Sequence, residues 1–324
     1  MALSKLKEKI KGIKYVPFEQ DGITYNLYDM PKGFVIKGSL DLWNKGLTEL
    51  PDLSEVVVKG DFYCFKNQLT SLEGAPKEVG GDFDCHSNQL TSLEGAPQEV
   101  GGDFKCYNNQ LTSLESAPQS VGGYFECCYN KLTSLEGAPQ RVGGGFDCHH
   151  NRLTSLEGAP KEVGEGFKCN HNKLTSLEGA PQSVGEDFNC SYNQLTSLEG
   201  APKEVGGGFN CYYNELTSLV GLPQMKESMK INCDDSLGNK YGFSNTGYFG
   251  VSYKKLCASP LYRSETAMNR VRSKLPQEKT ETQPVSTKQQ EKTETKTKQQ
   301  EAFEKTNAEF SQWLKDNSIK TTRE

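Results

Sequence analysis

Thiol groups are the first side chains of chemical interest in this 324-residue chain, which contains 11 cysteines. Eight of them recur at one fixed position of a 21-residue period: Cys64, Cys85, Cys106, Cys127, Cys148, Cys169, Cys190 and Cys211. A cysteine repeated in this way is typical of a small apolar core residue rather than of a disulfide framework. The odd total favours free thiols in a reducing compartment, so we expect a cytoplasmic protein; a place in a virion or in a host cytoplasm stays open.

The four histidines all lie near this cysteine position and raise the question of a metal site. His149 follows Cys128 by one period, and His171 follows His150 by one period. Stacked ligands one period apart could share a zinc ion, but the repeat forces this spacing whether or not a metal binds. The sequence therefore predicts no metal and no other cofactor.

The repeat that positions these side chains organises the chain. Eight tandem copies of 21 residues, such as GDFDCHSNQLTSLEGAPQEVG, begin within residues 60–214. A decayed copy precedes them, with Leu40 aligned to Phe62, and another follows, with Ile231 aligned to Phe209; both lie at an offset of 22 residues. A short fixed period indicates a solenoid in which each repeat packs on its neighbours, so we expect about ten rungs over residues 36–236.

A single repeat predicts a half-buried strand followed by a turn. Phe83 and Cys85 alternate with a polar residue, so both should point into the core beneath a parallel sheet. Asn88, which recurs in every full copy, should hydrogen-bond the backbone of its own turn and of the next rung. Leu90 and Leu93 should fill the core from the return side of the rung.

The unit F-x-C-x-x-N-x-L-T-S-L-E-G-A-P resembles a leucine-rich repeat, whose pattern is L-x-L-x-x-N-x-L. It is similar to the short bacterial type, with LEGAP in the place of LPxLP, and near-identical arrays also resemble repeat proteins of large bacteriophages. The resemblance implies an α/β-type solenoid dominated by β structure, in which a leucine-rich repeat arc has a parallel sheet on its concave face.

Motifs of known catalytic sites are missing from the sequence, which contains no GxSxG, P-loop or HExxH pattern. Cys233-Asp234-Asp235 has the C-x-D form of the bacterial leucine-rich-repeat ubiquitin ligases. That family carries the motif inside a large helical domain after the repeats, whereas here it falls in the decayed last strand. The sequence therefore predicts a protein that is not an enzyme.

Four positions around the strand differ between copies, and three of them should alternate outward. Tyr, Asn, His and Ser dominate them, and exposed aromatic residues at this density are typical of a binding face. Cys128 occupies one of these positions and should be an accessible thiol. Drift at exposed positions after repeat duplication is the alternative. The predicted partner-binding residues on the concave face are Tyr63, Phe65, His86, Tyr107, Tyr129, His149, His150, His171, Tyr192, Tyr212 and Tyr213.

The segments outside the repeats predict caps and a tether. Residues 1–35 should form an N-terminal cap that begins with a short helix, and the Gly- and aromatic-rich residues 237–263 should form a hairpin that closes the other end. Residues 264–300 are polar and of low complexity, which predicts a disordered linker. Residues 301–318 predict an amphipathic helix that docks on a partner or on the solenoid through Phe303, Phe310, Trp313 and Leu314.

Charge and hydropathy narrow the choice of partner. The formal net charge is −5, without the basic excess of a nucleic-acid-binding protein, and no apolar run is long enough to span a membrane. We therefore expect protein partners, no nucleic acid and no membrane. The leading prediction is a non-enzymatic protein–protein interaction module. The alternatives are a structural repeat component of a larger particle such as a phage virion, and a bacterial-type effector or adaptor that acts through its C-terminal segment.

Overall fold

Two parallel sheets run along the repeats in the computed structural model, which describes residues 15–243 and 250–272. The first is called the phenylalanine sheet, and its ten parallel strands are Leu40–Asp41, Phe62–Tyr63, Phe83–Asp84, Phe104–Lys105, Phe125–Glu126, Phe146–Asp147, Phe167–Lys168, Phe188–Asn189, Phe209–Asn210 and Lys230–Asn232. The second is called the valine sheet, and its strands are Val35–Ile36, Val57–Val58, Glu78–Val79, Glu99–Val100, Ser120–Val121, Arg141–Val142, Glu162–Val163, Ser183–Val184 and Glu204–Val205.

The pairing register reproduces the period of the sequence. Phe104 pairs with Phe125, one full repeat later. At the two ends the offset grows by one residue, because Leu40 pairs with Phe62 and Phe209 pairs with Ile231. This parallel, rung-by-rung solenoid confirms the predicted leucine-rich-repeat fold.

The core is a set of side-chain columns that run through all rungs. The eight repeat phenylalanines are fully buried and stack on one another, with ring centroids between 5.2 Å for Phe62–Phe83 and 5.6 Å for Phe167–Phe188. The eight repeat cysteines are free and fully buried, and the two leucines of each repeat close the same core. Aromatic pairs at such distances stabilise beyond their buried area, so the phenylalanine column contributes strongly to stability.

The valine sheet is a feature that the sequence pattern does not predict. The sequence KEVGG indicates a bend back into the phenylalanine strand, but its valine is a buried strand residue in every rung, as Val100 shows. The glycine that follows is required by the close approach of the rungs: a Cβ on Gly101 would lie 2.1 Å from the carbonyl oxygen of Gly80. Two sheets therefore enclose the core where one was expected.

The repeated asparagine satisfies the backbone where the strand ends, as predicted. The Asn88 side-chain amide donates to the carbonyl oxygens of Cys85 and Cys64, at 3.0 and 3.1 Å. Its Oδ1 accepts from the Leu69 backbone N–H at 3.0 Å. The other rung that it bonds is the preceding one, so the prediction of a bond to the next rung is wrong, because the side chain points back toward the Cys64 carbonyl; the interaction recurs along the array.

The N-terminal end of the described chain is a small antiparallel hairpin. Pro17–Gln20 pairs with Ile23–Asn26, and a 3-10 turn over Leu27–Asp29 buries Leu27 before the first rung begins. The predicted helix of the N-terminal cap lies outside the described residues.

The C-terminal end differs from the predicted hairpin. It contains the helices α1, Asp235–Lys240, α2, Tyr253–Ala258, and α3, Pro260–Arg272, while Val251–Ser252 pairs antiparallel with the last rung. The apolar residues of this region, including Leu237 and Leu256, are buried against the solenoid core, which a flat hairpin would not achieve. Helix α3 also continues past residue 264, where the linker was predicted to begin. Residues 273–324, with the rest of the predicted linker and the terminal helix, lie outside the described ranges.

Candidate functional site: the outward face of the phenylalanine sheet

Each full repeat presents three outward residues around its inward cysteine, such as Asp147, His149 and His150 around Cys148. The last of the three always adopts a left-handed backbone conformation. Its φ lies between 51° and 54° in the eight full copies, at Lys66, Ser87, Asn108, Tyr129, His150, His171, Tyr192 and Tyr213. Bulky residues are rare in this region of φ/ψ space, so backbone preference does not explain the tyrosines found at this position.

One group of outward rings forms a stack over the first rungs, called the first stack. Phe65, His86 and Tyr107 occupy the position directly after the cysteine, and Trp43 occupies the equivalent position after Leu42. Trp43 lies 5.6 Å from Phe65, Phe65 lies 4.5 Å from His86, and His86 lies 4.4 Å from Tyr107, all measured between ring centroids. The interplanar angles are 17°, 14° and 9°, so the rings lie face to face.

A second stack begins one rung later and occupies the neighbouring, left-handed position. It is formed by Tyr129, His150, His171, Tyr192 and Tyr213, with successive centroid distances of 4.5, 4.2, 4.1 and 4.4 Å. Tyr212 contacts this second stack edge-on, 5.1 Å from Tyr213. The aromatic surface therefore shifts sideways by one residue between Tyr107 and Tyr129.

Stacking determines which part of each ring can meet a partner. An inner ring such as His171 has both faces covered by its neighbours, so its edge is what remains outward. The two terminal rings are the most open: Tyr129 is 50% exposed and Tyr213 is 55% exposed. The second stack is thus a preordered strip of ring edges, hydroxyls and imidazole nitrogens.

The sideways shift occurs at Cys128, where the first stack has no further ring. Ligand atoms of Cys128, Asp147 and His149 all lie within 4.8 Å of one another there. Cys128 is 6% exposed, so the prediction of an accessible thiol is wrong; larger side chains in the same column, Tyr107 and His149, flank it in the neighbouring rungs. Burial, with the nearby charges of Asp147 and Glu126, raises the pKa of this thiol to about 12.

The polar outward residues form pairs along and between rungs. His86 Nδ1 lies 2.6 Å from Asp84 Oδ1, and His149 makes the same contact with Asp147. Lys105 lies between Asp82 and Asp103, at 3.3 and 2.9 Å, and these partners raise its pKa against the opposing effect of burial. Lys105 is therefore held by two carboxylates within the face.

All eleven predicted partner-binding residues lie on this face, and most of them contact one another. Tyr63 donates a hydrogen bond from its hydroxyl to Asp61 at 2.9 Å, and burial together with Asp61 raises its pKa to about 12. Its ring lies edge-on to Phe65, at 6.1 Å. The predicted docking residues of the tail, Phe303, Phe310, Trp313 and Leu314, lie outside the described residues.

Two other features bear on function. A shallow groove of about 960 Å³ follows the valine sheet and is lined by the residues of its later strands and the glycines after them, from Arg141 to Lys226; it could not be predicted without that sheet. Cys233, the residue that resembles a ligase nucleophile, is 4% exposed, and burial raises its pKa to about 11. Neither feature brings several reactive side chains together.

Comparison with known proteins adds little to this geometry. No protein-family model matches the chain, and no curated protein matches it. Among solved structures, it is similar to YopM from Yersinia enterocolitica WA-314, with 20% sequence identity over 60% of this chain and a TM-score of 0.33. The match spans about half, 52%, of the YopM chain. The repeat geometry described above, and not this match, defines the fold.

None of the helices within the described ranges has the length and apolarity that a membrane span requires.

Proposed function

We propose that this protein is a non-enzymatic protein-interaction module that binds its partner across the outward face of the phenylalanine sheet. The observation that carries the proposal is the second stack, from Tyr129 to Tyr213, with its two open terminal tyrosines. Rings held by their neighbours lose little further side-chain entropy on binding, which favours them as contact residues.

Ring orientation favours a protein partner over a base or a sugar. Nucleobases and sugars dock on open aromatic faces, whereas the inner rings of the second stack, His150, His171 and Tyr192, have theirs covered. Ring edges with hydroxyl and imidazole groups suit backbone and side-chain hydrogen bonds from a polypeptide. The first stack and Tyr63 extend the same face, and the predicted tail helix would supply a second contact.

Affinity capture tests the proposal, using wild-type protein, a Tyr129→Ala/Tyr213→Ala variant and a Glu136→Ala/Glu199→Ala control. The control glutamates are exposed and lie in the turns that follow the phenylalanine sheet. We expect one protein to be recovered stoichiometrically by the wild type and the control. Its recovery by the tyrosine variant should fall at least about tenfold, because truncation of interface tyrosines costs on the order of 1–2 kcal/mol each. Equal recovery by all three proteins, with unchanged circular dichroism, would contradict the proposed face.

A further inference from the structure

The break between the two stacks brings together three side chains that neither stack uses. Cys128, Asp147 and His149 belong to adjacent rungs held in register by the pairing of Phe125 with Phe146. They supply a thiol sulfur, a carboxylate oxygen and an imidazole nitrogen, all within 4.8 Å of one another. The ligands of a tetrahedral zinc ion lie about 3.3–3.8 Å apart, given Zn–S and Zn–N distances near 2.3 and 2.0 Å. Small side-chain rotations are therefore enough to close the site.

We propose that Cys128, Asp147 and His149 form a binding site for one divalent transition-metal ion of the zinc class, with water as the fourth ligand. A thiolate combined with an imidazole is selective for such ions over Mg²⁺ and Ca²⁺, which prefer oxygen ligands. The site goes beyond the proposed binding face and does not depend on it.

The three donors are held in place by their own rungs. Asp147 Oδ1 accepts from the backbone N–H of His149 at 3.2 Å and also contacts the Nδ1 atom of that ring. The side chains of Asp147 and His149 are only 13% and 19% exposed, and Cys128 is buried. A preordered and partly dehydrated set of donors costs little to organise around an ion.

The charge balance around the donors favours a cation. Asp147 and, in register with it, Glu126 place two carboxyl groups beside the thiol. Lys168 lies 3.5 Å from Asp147 with its side chain 58% exposed, and Lys105, whose charge acts on Glu126, is already paired with Asp82 and Asp103. Binding replaces the thiol proton of Cys128, so each bound ion should release about one proton.

The chain contains its own negative control, because the tripeptide Asp-Cys-His occurs twice. Asp84 and His86 make the same contact as Asp147 and His149. His86, however, lies between the rings of Phe65 and Tyr107, and no thiol lies near it in the outward columns. Only the later copy has a cysteine, Cys128, at the position that precedes the histidine by one repeat.

Titration of the untagged, metal-free full chain with Co²⁺ tests the site. We expect one ion per chain, a thiolate-to-cobalt charge-transfer absorption, and displacement by Zn²⁺. Cys128→Ser should abolish the absorption, and Asp147→Asn should weaken binding at least about 10-fold, the loss that removal of even an outer-shell partner causes. The controls His86→Gln and Cys257→Ser should bind as the wild type does. No stoichiometric binding, or an unchanged absorption in Cys128→Ser, would overturn the proposal.

If a variant fails to fold, X-ray absorption spectroscopy of the zinc-loaded wild type still tests which atoms bind the ion. One sulfur at about 2.3 Å together with nitrogen and oxygen neighbours at about 2.0–2.2 Å is expected. A shell without sulfur, or with two or more sulfurs, would place the ion elsewhere and contradict the assignment.

Discussion

The rungs of His86 and His149 share the tripeptide Asp-Cys-His, yet their outward faces differ. In both, the cysteine is buried and the aspartate contacts the histidine. His86 is sandwiched in the first stack, whereas His149 meets Tyr129 edge-on at 4.9 Å and lies beside Cys128. The same three residues thus acquire different chemistry from the rung before them. In a solenoid of fixed register, the neighbouring rung defines the site as much as the local sequence does.

The largest expected effect is a loss of stability on truncation of a core phenylalanine, and it should be equal in the two rungs because their interiors are the same. Phe83→Ala and Phe146→Ala should each lower the free energy of unfolding by about 3–5 kcal/mol, because each removes a fully buried ring from the same stacked column. Chemical denaturation measures both values. A difference of more than about 1 kcal/mol between them would show that the interiors of the two rungs are not equivalent.

The next largest effect distinguishes the outward faces of the two rungs. In the presence of a chelator, His86→Ala should cost about 1–3 kcal/mol, since it removes two face-to-face aromatic pairs of about 0.5–1.5 kcal/mol each. His149→Ala removes two edge-on contacts, to Tyr129 and His150, from a ring that is less buried, with 19% against 11% of the side chain exposed, so it should cost less than His86→Ala. Denaturant midpoints of the two variants provide the comparison, and a larger cost at His149 would reverse it.

A third change tests whether the backbone is identical from rung to rung while side chains differ. Ser116 has a φ of 65°, at a position where the adjacent repeats have Gly95 and Gly137 with φ of 89° and 87°. Ser116→Gly should stabilise the protein by about 1 kcal/mol, because glycine adopts this conformation without strain. Gly137→Ser is the matched reverse change and should destabilise, since its Cβ would lie 2.6 Å from the Glu115 nitrogen. Loss of stability in Ser116→Gly would contradict the shared backbone.

The smallest effect concerns pH. Burial, and secondarily the charge of His149, lowers the pKa of His171, which stacks in the second stack without the carboxylate contact that His86 has. Between this pKa and the ordinary value near 6.5 the unfolded chain binds more protons, so the stability contributed by neutral His171 is lost as the pH falls through that window. Relative to His171→Phe, the wild type should lose stability between pH 7 and pH 5 in chelator-treated samples. If the stabilities of the two proteins depend on pH in the same way, this contribution of His171 is absent and the prediction is wrong.

Much of the fold could be predicted from the sequence because the same pattern of core and turn residues occurs in every copy of the repeat. The inward Phe83 and Cys85, the function of Asn88 and the offset of 22 residues at both ends all follow from comparing copies. The valine sheet escaped prediction because a two-residue strand shows too little alternation to be recognised.

The site was only partly predictable. The outward columns could be read from their variability, but ring orientation is not encoded in residue type, so the shift from the first stack to the second was missed. The left-handed backbone conformation at the tyrosines and histidines of the second stack was also missed. Asn44 and Asn108 in the same column could have indicated it, because asparagine favours this conformation. The contact of Cys128 with Asp147 depends on side-chain geometry between rungs, which spacing alone does not fix.

A transplant tests the central claim, that the rung before a histidine defines its chemistry. Phe65 precedes His86 by one repeat, as Cys128 precedes His149, so Phe65→Cys should place a thiol beside the Asp84–His86 pair. We predict that Co²⁺ titration of this full-length variant gives two ions per chain, against one for the wild type, with a corresponding gain in charge-transfer absorption. A stoichiometry that stays at one in the folded variant would contradict the claim.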